Sequence, residues 1–585
     1  MTSNYPRLIL WSALGLALWL NYQAWVRDYG PLPGATSAIE RPAKPSATGA
    51  VPSFGTSVPT ASSTSVQTGS KTAAGSAETA RPASAAAHAA AQQAAEKFGS
   101  AAAAAPAVEV RTDVLDVRLS LTGGTIVRAD LLKYPKVKGQ LEPVQLENRA
   151  SPDTLYVLQT GLTGPPGEPR PTHLAEFTSA QTRYSLAPGS DELRVPLTWT
   201  DGRGLTVTKT FIFRRGLYRI GLEQTVDNRS ARPWQAAAYA DVIRYDKPTH
   251  SSYFVFNADR YSFNGPAIYD GTKYRTLKIS AAENQHLSLD VTGGWLAASQ
   301  HDFVSAVIPP QGDPYRYTLN VDGNEFALTT AGPMRSVSPG SSASFDFKLF
   351  IGPTLQAQLE ATAPHFDLVA NYGRLTFLAK PLFWLLEKAH SVLGNWGLAI
   401  IAVTILLKLL LYPLSETSYR SMAKMKALAP RIKALQETYK GEKEKVSRAM
   451  MDLYKREKVN PVAGCLPMII QIPIFFAYYY VLLGSVEMRQ APFYGWIHDL
   501  SSRDPYFILP GLMAIASFFQ YKLNPAPADP TQAKVMMVMP FALSAMFALF
   551  PAGLVLYYLT NTLLGAAQQW SINRRMEAAA KRVKK

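Results

Sequence analysis

Residues 396–414, WGLAIIAVTILLKLLLYPL, constrain this chain more than any other stretch: the run is apolar over a bilayer's thickness, yet it carries one fixed positive charge, Lys408. A hydrocarbon core of about 30 Å takes roughly 20 apolar residues at ~1.5 Å rise each. A lysine in that core costs about 3 kcal/mol on insertion scales, so its ammonium faces protein, water or the nearest interface. Two readings stand side by side. Lys408, five residues before Pro413, snorkels to the interface, or it faces a wet cavity between helices.

A chain of 585 residues is too long for one core, and two or three domains are expected. Large apolar residues gather in blocks after residue 374 and are nearly missing from 31–107. The formal charge of +16 would suit a nucleic-acid partner, but the lysines cluster beside apolar runs, which points to a membrane. A lone cysteine, Cys465, excludes an intramolecular disulfide, so an exported domain has to be stable without one.

Residues 7–26 form a first apolar span, with Trp19, Tyr22 and Trp25 at its far end as an interfacial belt. Its length, and the lack of an A-x-A-like site after it, favour an uncleaved signal anchor (1–27) over a cleaved signal peptide. Residues 28–107, rich in Ala, Ser, Thr, Pro and Gly, have too little to bury and read as a disordered tether. From 108 to 352 the pattern becomes alternation between turns. Val117, Leu119 and Leu121 precede Gly123-Gly124. Leu205, Val207, Phe211 and Phe213 reverse at Arg215-Gly216 into Tyr218, Ile220 and Leu222, and Phe345, Phe347, Leu349 and Ile351 close the run. Many such half-buried strands predict a large all-β sandwich. Its His173, His250, His286 and His301 lack metal-ligand spacing and read as exposed or hydrogen-bonded.

The connecting segment 353–392 contains an amphipathic stretch with Leu375, Leu378, Leu382 and Leu385 on one face, expected either along a membrane surface or docked on the sandwich. A helical core, 393–572, follows. Inside it, 415–460 repeats apolar residues from Met422 to Tyr439, then Val446, Met450 and Leu453, the pattern of an antiparallel hairpin interrupted at Pro430. Between 412 and 464 twelve Lys/Arg face six Asp/Glu, which places the hairpin in the cytoplasm. That charge is either a solvated face or an attraction to anionic lipid or ribosomal RNA. Further spans are expected near 465–484, 506–522, 535–550 and 553–571, then a basic tail, 573–585. Six transmembrane helices put both termini in the cytoplasm and the β-domain outside the inner membrane.

Polar residues lie inside these spans: Gln471, Ser517, Gln520, Ser544, Thr560, Asn561 and Thr562, next to Tyr557-Tyr558. Each is helix–helix glue or, with Lys408 and Thr404, part of a wet cavity. No Walker motif, H-E-x-x-H or dinucleotide loop occurs, and no histidine lies in a span to serve as a base, so catalysis loses ground and no cofactor or metal is implied. A fixed charge without acid–base machinery suits a device that binds and releases peptide.

Several stretches carry a resemblance: YPLSETSYRSMAKMKALAP (412–430), MMDLYKREKVNPVAGCLPMIIQIPIF (450–475), GSVEMRQAPFYGWIHDLSSRDPYFILP (484–510), FPAGLVLYYLTN (550–561), TDVLDVRLSLTGG (112–124) and YPKVKG (134–139). They resemble the YidC family of membrane protein insertases, relatives of the mitochondrial Oxa and chloroplast Albino proteins, in its Gram-negative form with a large periplasmic domain. The resemblance implies a non-enzymatic insertase and chaperone of the inner membrane that handles nascent membrane proteins, alone or with the Sec translocon and the ribosome, without nucleotide hydrolysis. It implies a hydrophilic groove lined by Lys408, Thr404, Gln471, Ser517, Tyr557, Tyr558 and Asn561. A slide for apolar substrate helices would comprise Met468, Ile472, Phe475, Met536 and Met539. Recruitment falls to Lys424, Lys426, Arg431, Lys433, Arg574, Arg575, Lys581, Arg582, Lys584 and Lys585. Many relatives carry Arg where Lys408 stands, and lysine lacks the bidentate fork. A membrane-anchored carbohydrate-binding module or a small-molecule transporter is the alternative.

Overall fold

The computed structural model describes residues 106–163, 169–246, 263–281, 284, 286–370, 375–439, 442–457, 459, 466–524 and 530–583. The expected anchor, the tether and His250 lie outside the described residues. Residues 424–461 belong to one compact unit and the rest of the described chain to a second.

The alternating segment folds as two large sheets. One has ten strands, from His286–Val291 at one edge to Arg183–Ser185 at the other, and the second has eight, from Tyr274–Thr276 to Glu192–Thr200. Register follows the apolar pattern. Leu205–Arg214 turns at Gly216 (φ 72°) and pairs with Arg219–Asn228, setting Val207 opposite Val226, Phe211 opposite Leu222 and Phe213 opposite Ile220. All six are buried, as a one-residue slip would prevent. Strand Ser341–Pro353 continues that sheet, with Phe347 beside Leu222 and Leu349 beside Ile220. The large sandwich read from the sequence is present. His173 bonds Tyr239 (Nδ1 to hydroxyl 2.7 Å) and His301 contacts Asp302 at 2.8 Å, while His286 sits on an edge strand.

Ten helices follow among the described residues: α1 (Gln356–Thr362), α2 (Thr376–Leu393), α3 (Trp396–Leu410), α4 (Tyr412–Ala427), α5 (Ala429–Thr438), α6 (Lys443–Arg456), α7 (Leu466–Gly484), α8 (Ile508–Leu523), α9 (Pro530–Phe547) and α10 (Ala552–Val583). Gly394 ends α2 in the left-handed region (φ 65°), and the next residue, Asn395, caps α3 by accepting from the Leu398 amide at 3.1 Å. Gly397 is needed as glycine, because a Cβ there would come within 2.1 Å of the Phe493 ring. Helix α2 buries Ala379, Leu382, Phe383 and Leu386 in the helical core and leaves Phe377, Trp384 and Val392 exposed.

The run 396–414 is not one straight helix. α3 stops at Leu410, and α4 leaves at a bend of 68°. Pro413 is the physical reason, since it has no N–H to continue the ladder and its ring crowds the preceding turn. Lys408 therefore sits in the last turn of α3, where the dipole favours a cation. Among the described residues no single helix is long and apolar enough to cross a membrane; the bent pair α3–α4 passes that test together, and 469–484, 508–523 and 533–547 are shorter apolar helices. α5 begins with Pro430 in its first turn and pairs with α6 through Arg431 and Glu457, 2.5 Å apart. α10 runs unbroken from the last apolar block into the basic segment.

Candidate functional site

The polar residues of the helical body sort into two levels. At the first, the Gln471 amide on α7 donates to the Tyr557 hydroxyl on α10, and Tyr557 stacks on Tyr478 with centroids 4.0 Å apart at 17°. Tyr557 and Tyr478 are fully buried. Thr404 is buried too, and its hydroxyl donates to the Ile400 carbonyl of its own helix at 2.6 Å. Thr560 does the same to Leu556, at 2.8 Å. Ser544 bonds the Pro510 carbonyl across helices, which is interhelical glue of the kind expected where no water competes.

The second level surrounds Lys408. A Cβ placed on Gly565 of α10 would lie 3.2 Å from Gln520 Nε2, 3.3 Å from the Tyr419 hydroxyl and 3.5 Å from Lys408 Nζ. Lys408 is half-buried and pairs with no carboxylate of the described residues. Ser517 and Asn561 are half-buried as well. The Lys408 ammonium thus approaches the same point of α10 as Gln520 and Tyr419, whereas Gln471 bonds Tyr557. Gln520 was visible in the sequence only as one polar residue among several. Tyr419 and Gly565 carried no signal, because the 68° bend between α3 and α4, and the approach of the Tyr419 hydroxyl to Gly565, cannot be read from periodicity.

Apolar side chains crowd the outer faces of these helices. Ile472 on α7 and Met539 on α9 are about half exposed, with Ile469, Met537 and Phe541 alongside. Met536 is half-buried, and Phe475 packs edge-on against Phe547 and Tyr558. Met468 lies on α7, and its side chain is outside the described set. Large apolar side chains left exposed on both helices mark contact with lipid or with another apolar helix. Lys424, Lys426, Arg431 and Lys433 are exposed on the hairpin, and Arg574 and Arg575 are exposed on α10, with Arg574 over the Trp570 ring at 5.5 Å. Lys581 and Arg582 fall on the end of α10, and Lys584 and Lys585 lie outside the described residues.

The outer ends of the helices are held by buried polar contacts. Asp504, 1 % exposed, accepts from Trp496 Nε1 (3.1 Å), the Tyr506 amide (3.0 Å) and the Leu509 amide (2.7 Å), tying the preceding loop to the start of α8. The β-domain joins here. Arg489 donates to the carbonyls of Pro135 (3.0 Å) and Lys136 (3.2 Å), lies 3.5 Å from Asp302, and covers Phe303. Lys138 reaches the carbonyls of Gln490 and His498.

Comparison with known proteins covers nearly the whole chain. The family model described as 60Kd inner membrane protein matches residues 388–580, and that for the YidC periplasmic domain matches 107–385. A membrane protein insertase YidC of Thioalkalivibrio sulfidiphilus is 42 % identical, with 98 % of this chain and 99 % of the relative aligned. That of Nitrosococcus oceani is 41 % identical over 98 % of this chain and 99 % of its own length. A crystal structure of an active YidC insertase with its first transmembrane domain resolved aligns with 78 % of this chain and 90 % of its own at 19 % identity and TM-score 0.35.

Proposed function

Since this chain belongs to the YidC family of membrane protein insertases, we propose that it inserts newly made proteins into the inner membrane by way of the Lys408 level of its helical body. The observation that carries this reading is the half-buried ammonium of Lys408, near Gln520 and Tyr419 and without a carboxylate partner among the described residues. A charge in such a place is held by water or by a visiting anion.

The mechanism follows from path length and charge. α3, α7 and α8 contain 15, 19 and 16 residues, a rise of about 22–28 Å, shorter than a ~30 Å hydrocarbon core. Short helices thin the bilayer around them, and a wet recess on the cytoplasmic side shortens the remaining apolar path for a polar segment of substrate. Lys408 attracts acidic residues of that segment. The membrane potential favours anions moving outward by about 2.3 kcal/mol per charge per 100 mV. Apolar substrate helices leave along the exposed faces of α7 and α9, where methionines adapt to varied shapes. None of these steps uses a cofactor or a nucleotide.

The six-span topology with both termini in the cytoplasm belongs to the same proposal. The basic hairpin and the end of α10 would meet anionic lipid and the ribosome, and the Sec translocon would be a second partner. The test is insertion of a single-span reporter into vesicles containing the full chain. Deleting most of 108–340 should leave insertion intact while Lys408→Glu impairs it. Loss on the deletion with a silent Lys408→Glu would favour a binding module on a membrane anchor instead.

A further inference from the structure

The stretch YPKVKG, 134–139, has no part in the helical site; it leads into the turn between the strands Thr125–Pro135 and Pro143–Asn148. Pro135 pairs with Pro143, the Lys136 amide donates to the Glu142 carbonyl at 2.9 Å, and Gly139 takes the positive φ (82°) that the turn requires. Both lysines of the turn are engaged. Lys136 pairs with Glu142 across the two arms, and the Lys138 ammonium donates to the carbonyls of Gln490 (2.6 Å) and His498 in the loop between α7 and α8. Two apolar side chains remain outside. Val137 and Leu141, each two residues beyond the Pro135–Pro143 pair on its own arm, are 54 % and fully exposed.

Single exposed apolar residues are ordinary on a soluble surface, so their place has to decide. This turn is fixed to the outer ends of the helices. Gln490 Nε2 donates to the Pro135 carbonyl at 3.1 Å, and two residues past His498 the Leu500 carbonyl accepts from the Gly553 amide in the first turn of α10 at 2.9 Å. Tyr494 in the same loop, and Tyr506 and Phe507 just before α8, expose half or more of their surface. Aromatic residues where spanning helices meet water are the belt of a membrane interface.

We propose that the 136–142 turn is a lipid contact, with Val137 and Leu141 entering the boundary between headgroups and acyl chains of the outer leaflet beside the ends of α8 and α10. This rests on the topology that puts the β-domain outside the inner membrane. The partner is the apolar part of the lipid rather than headgroup charge, because both lysines are already engaged within the protein. The β-domain thereby stands on the bilayer as well as on the α7–α8 loop.

The experiment uses the full chain with Cys465→Ser and one environment-sensitive fluorophore, placed through Gln140→Cys at the turn or through Arg203→Cys as reference. Position 203 lies at the far end of the eight-stranded sheet. Strand Ser341–Pro353 meets Phe303 by the junction at one end and Asn228, opposite Leu205, at the other, ~40 Å away. In proteoliposomes whose lipid carries a nitroxide high on the acyl chain, a contact ~5–10 Å deep should cost the 140 label about half its emission and the 203 label less than about a tenth. Val137→Asp and Leu141→Asp should each cut the quenching at 140 at least twofold, and Val137→Ile should keep it. Equally weak quenching at 140 and 203 would overturn the proposal. Protection of position 140 from a water-soluble maleimide without lipid quenching would also overturn it, and would assign the turn to a second copy of this chain, the only protein present. An impermeant maleimide added to spheroplasts tests the topology separately, reacting at Arg203→Cys and not at Lys424→Cys. If 203 is reached only from the cytoplasmic side, the topology is wrong; if it is reached from outside while 140 stays unquenched, only the lipid contact fails.

Discussion

Replacing Glu147 by glutamine should change how the stability of the β-domain depends on pH. Glu147 is fully buried on the strand Pro143–Asn148, in hydrogen-bond contact with Ser305, and burial pushes its carboxyl up to about 8 from 4.5. Below about pH 4.5 both the folded and the unfolded chain hold the proton, and no difference arises. Between 4.5 and 8 the unfolded chain gives it up while the folded one keeps it, so stability falls as pH rises, by about 1.4 kcal/mol per unit for this group. Above 8 the slope from Glu147 vanishes. From pH 5.5 to 7.5 the loss amounts to about 2.7 kcal/mol, or roughly 5–10 °C in Tm for a domain of this size. Glutamine has almost the same shape and no proton to lose. Thermal unfolding followed by tryptophan fluorescence at pH 5.5, 6.5 and 7.5 should therefore show the wild type falling relative to Glu147→Gln by that amount. Parallel curves for the two proteins would refute the reasoning and place an ionised carboxylate in the core.

Lys209 gives the opposite sign. Buried beside Phe177 and donating to the Gly123 and Thr160 carbonyls (2.7 and 2.8 Å), its ammonium is pushed down by desolvation to about 7, so stability rises from pH 7 to 10.5. Lys209→Met should flatten that rise in the same melts, and an unchanged slope would count against it. Asp504→Ala removes the acceptor of three donors, one of them buried and two part-buried, and should cost about 1–3 kcal/mol, read as a lower Tm and faster proteolysis in the 492–507 loop; an unaltered Tm would show that the loop does not depend on the carboxylate. Lys408→Arg should retain insertion, and a dead but well-expressed variant would show that charge is not what matters. Deleting 573–585 should weaken ribosome co-sedimentation most at low salt, and unchanged pelleting would remove the tail from the recruitment surface.

The β-domain was legible because period-two alternation states directly which side chains meet: Phe211, Phe213, Ile220 and Leu222 were readable as buried partners from spacing alone, and the register pairs them. The helical body was legible in composition and less so in length. Pro413 was visible in the sequence, but the 68° turn it imposes, and with it the placing of Tyr419 beside Lys408, depends on how α4 packs. The polar residues were likewise visible one at a time. Which of them meet is decided by helix rotation, and that separated Gln471 and Tyr557 from Gln520 and Lys408. Thr404, one turn from Lys408, spends its hydroxyl on its own helix, a fate that neighbouring position in sequence does not reveal.

The most direct measurement is labelling at position 408 in intact membranes. With Cys465→Ser removing the native thiol, a Lys408→Cys variant is exposed to a membrane-impermeant maleimide from the cytoplasmic side, beside a cysteine at hairpin position 424 as the aqueous reference. A hydrated recess predicts labelling within about an order of magnitude of that reference, since only the thiolate in water reacts readily. Labelling that occurs only after the membrane is dissolved would place residue 408 against acyl chains and contradict the account.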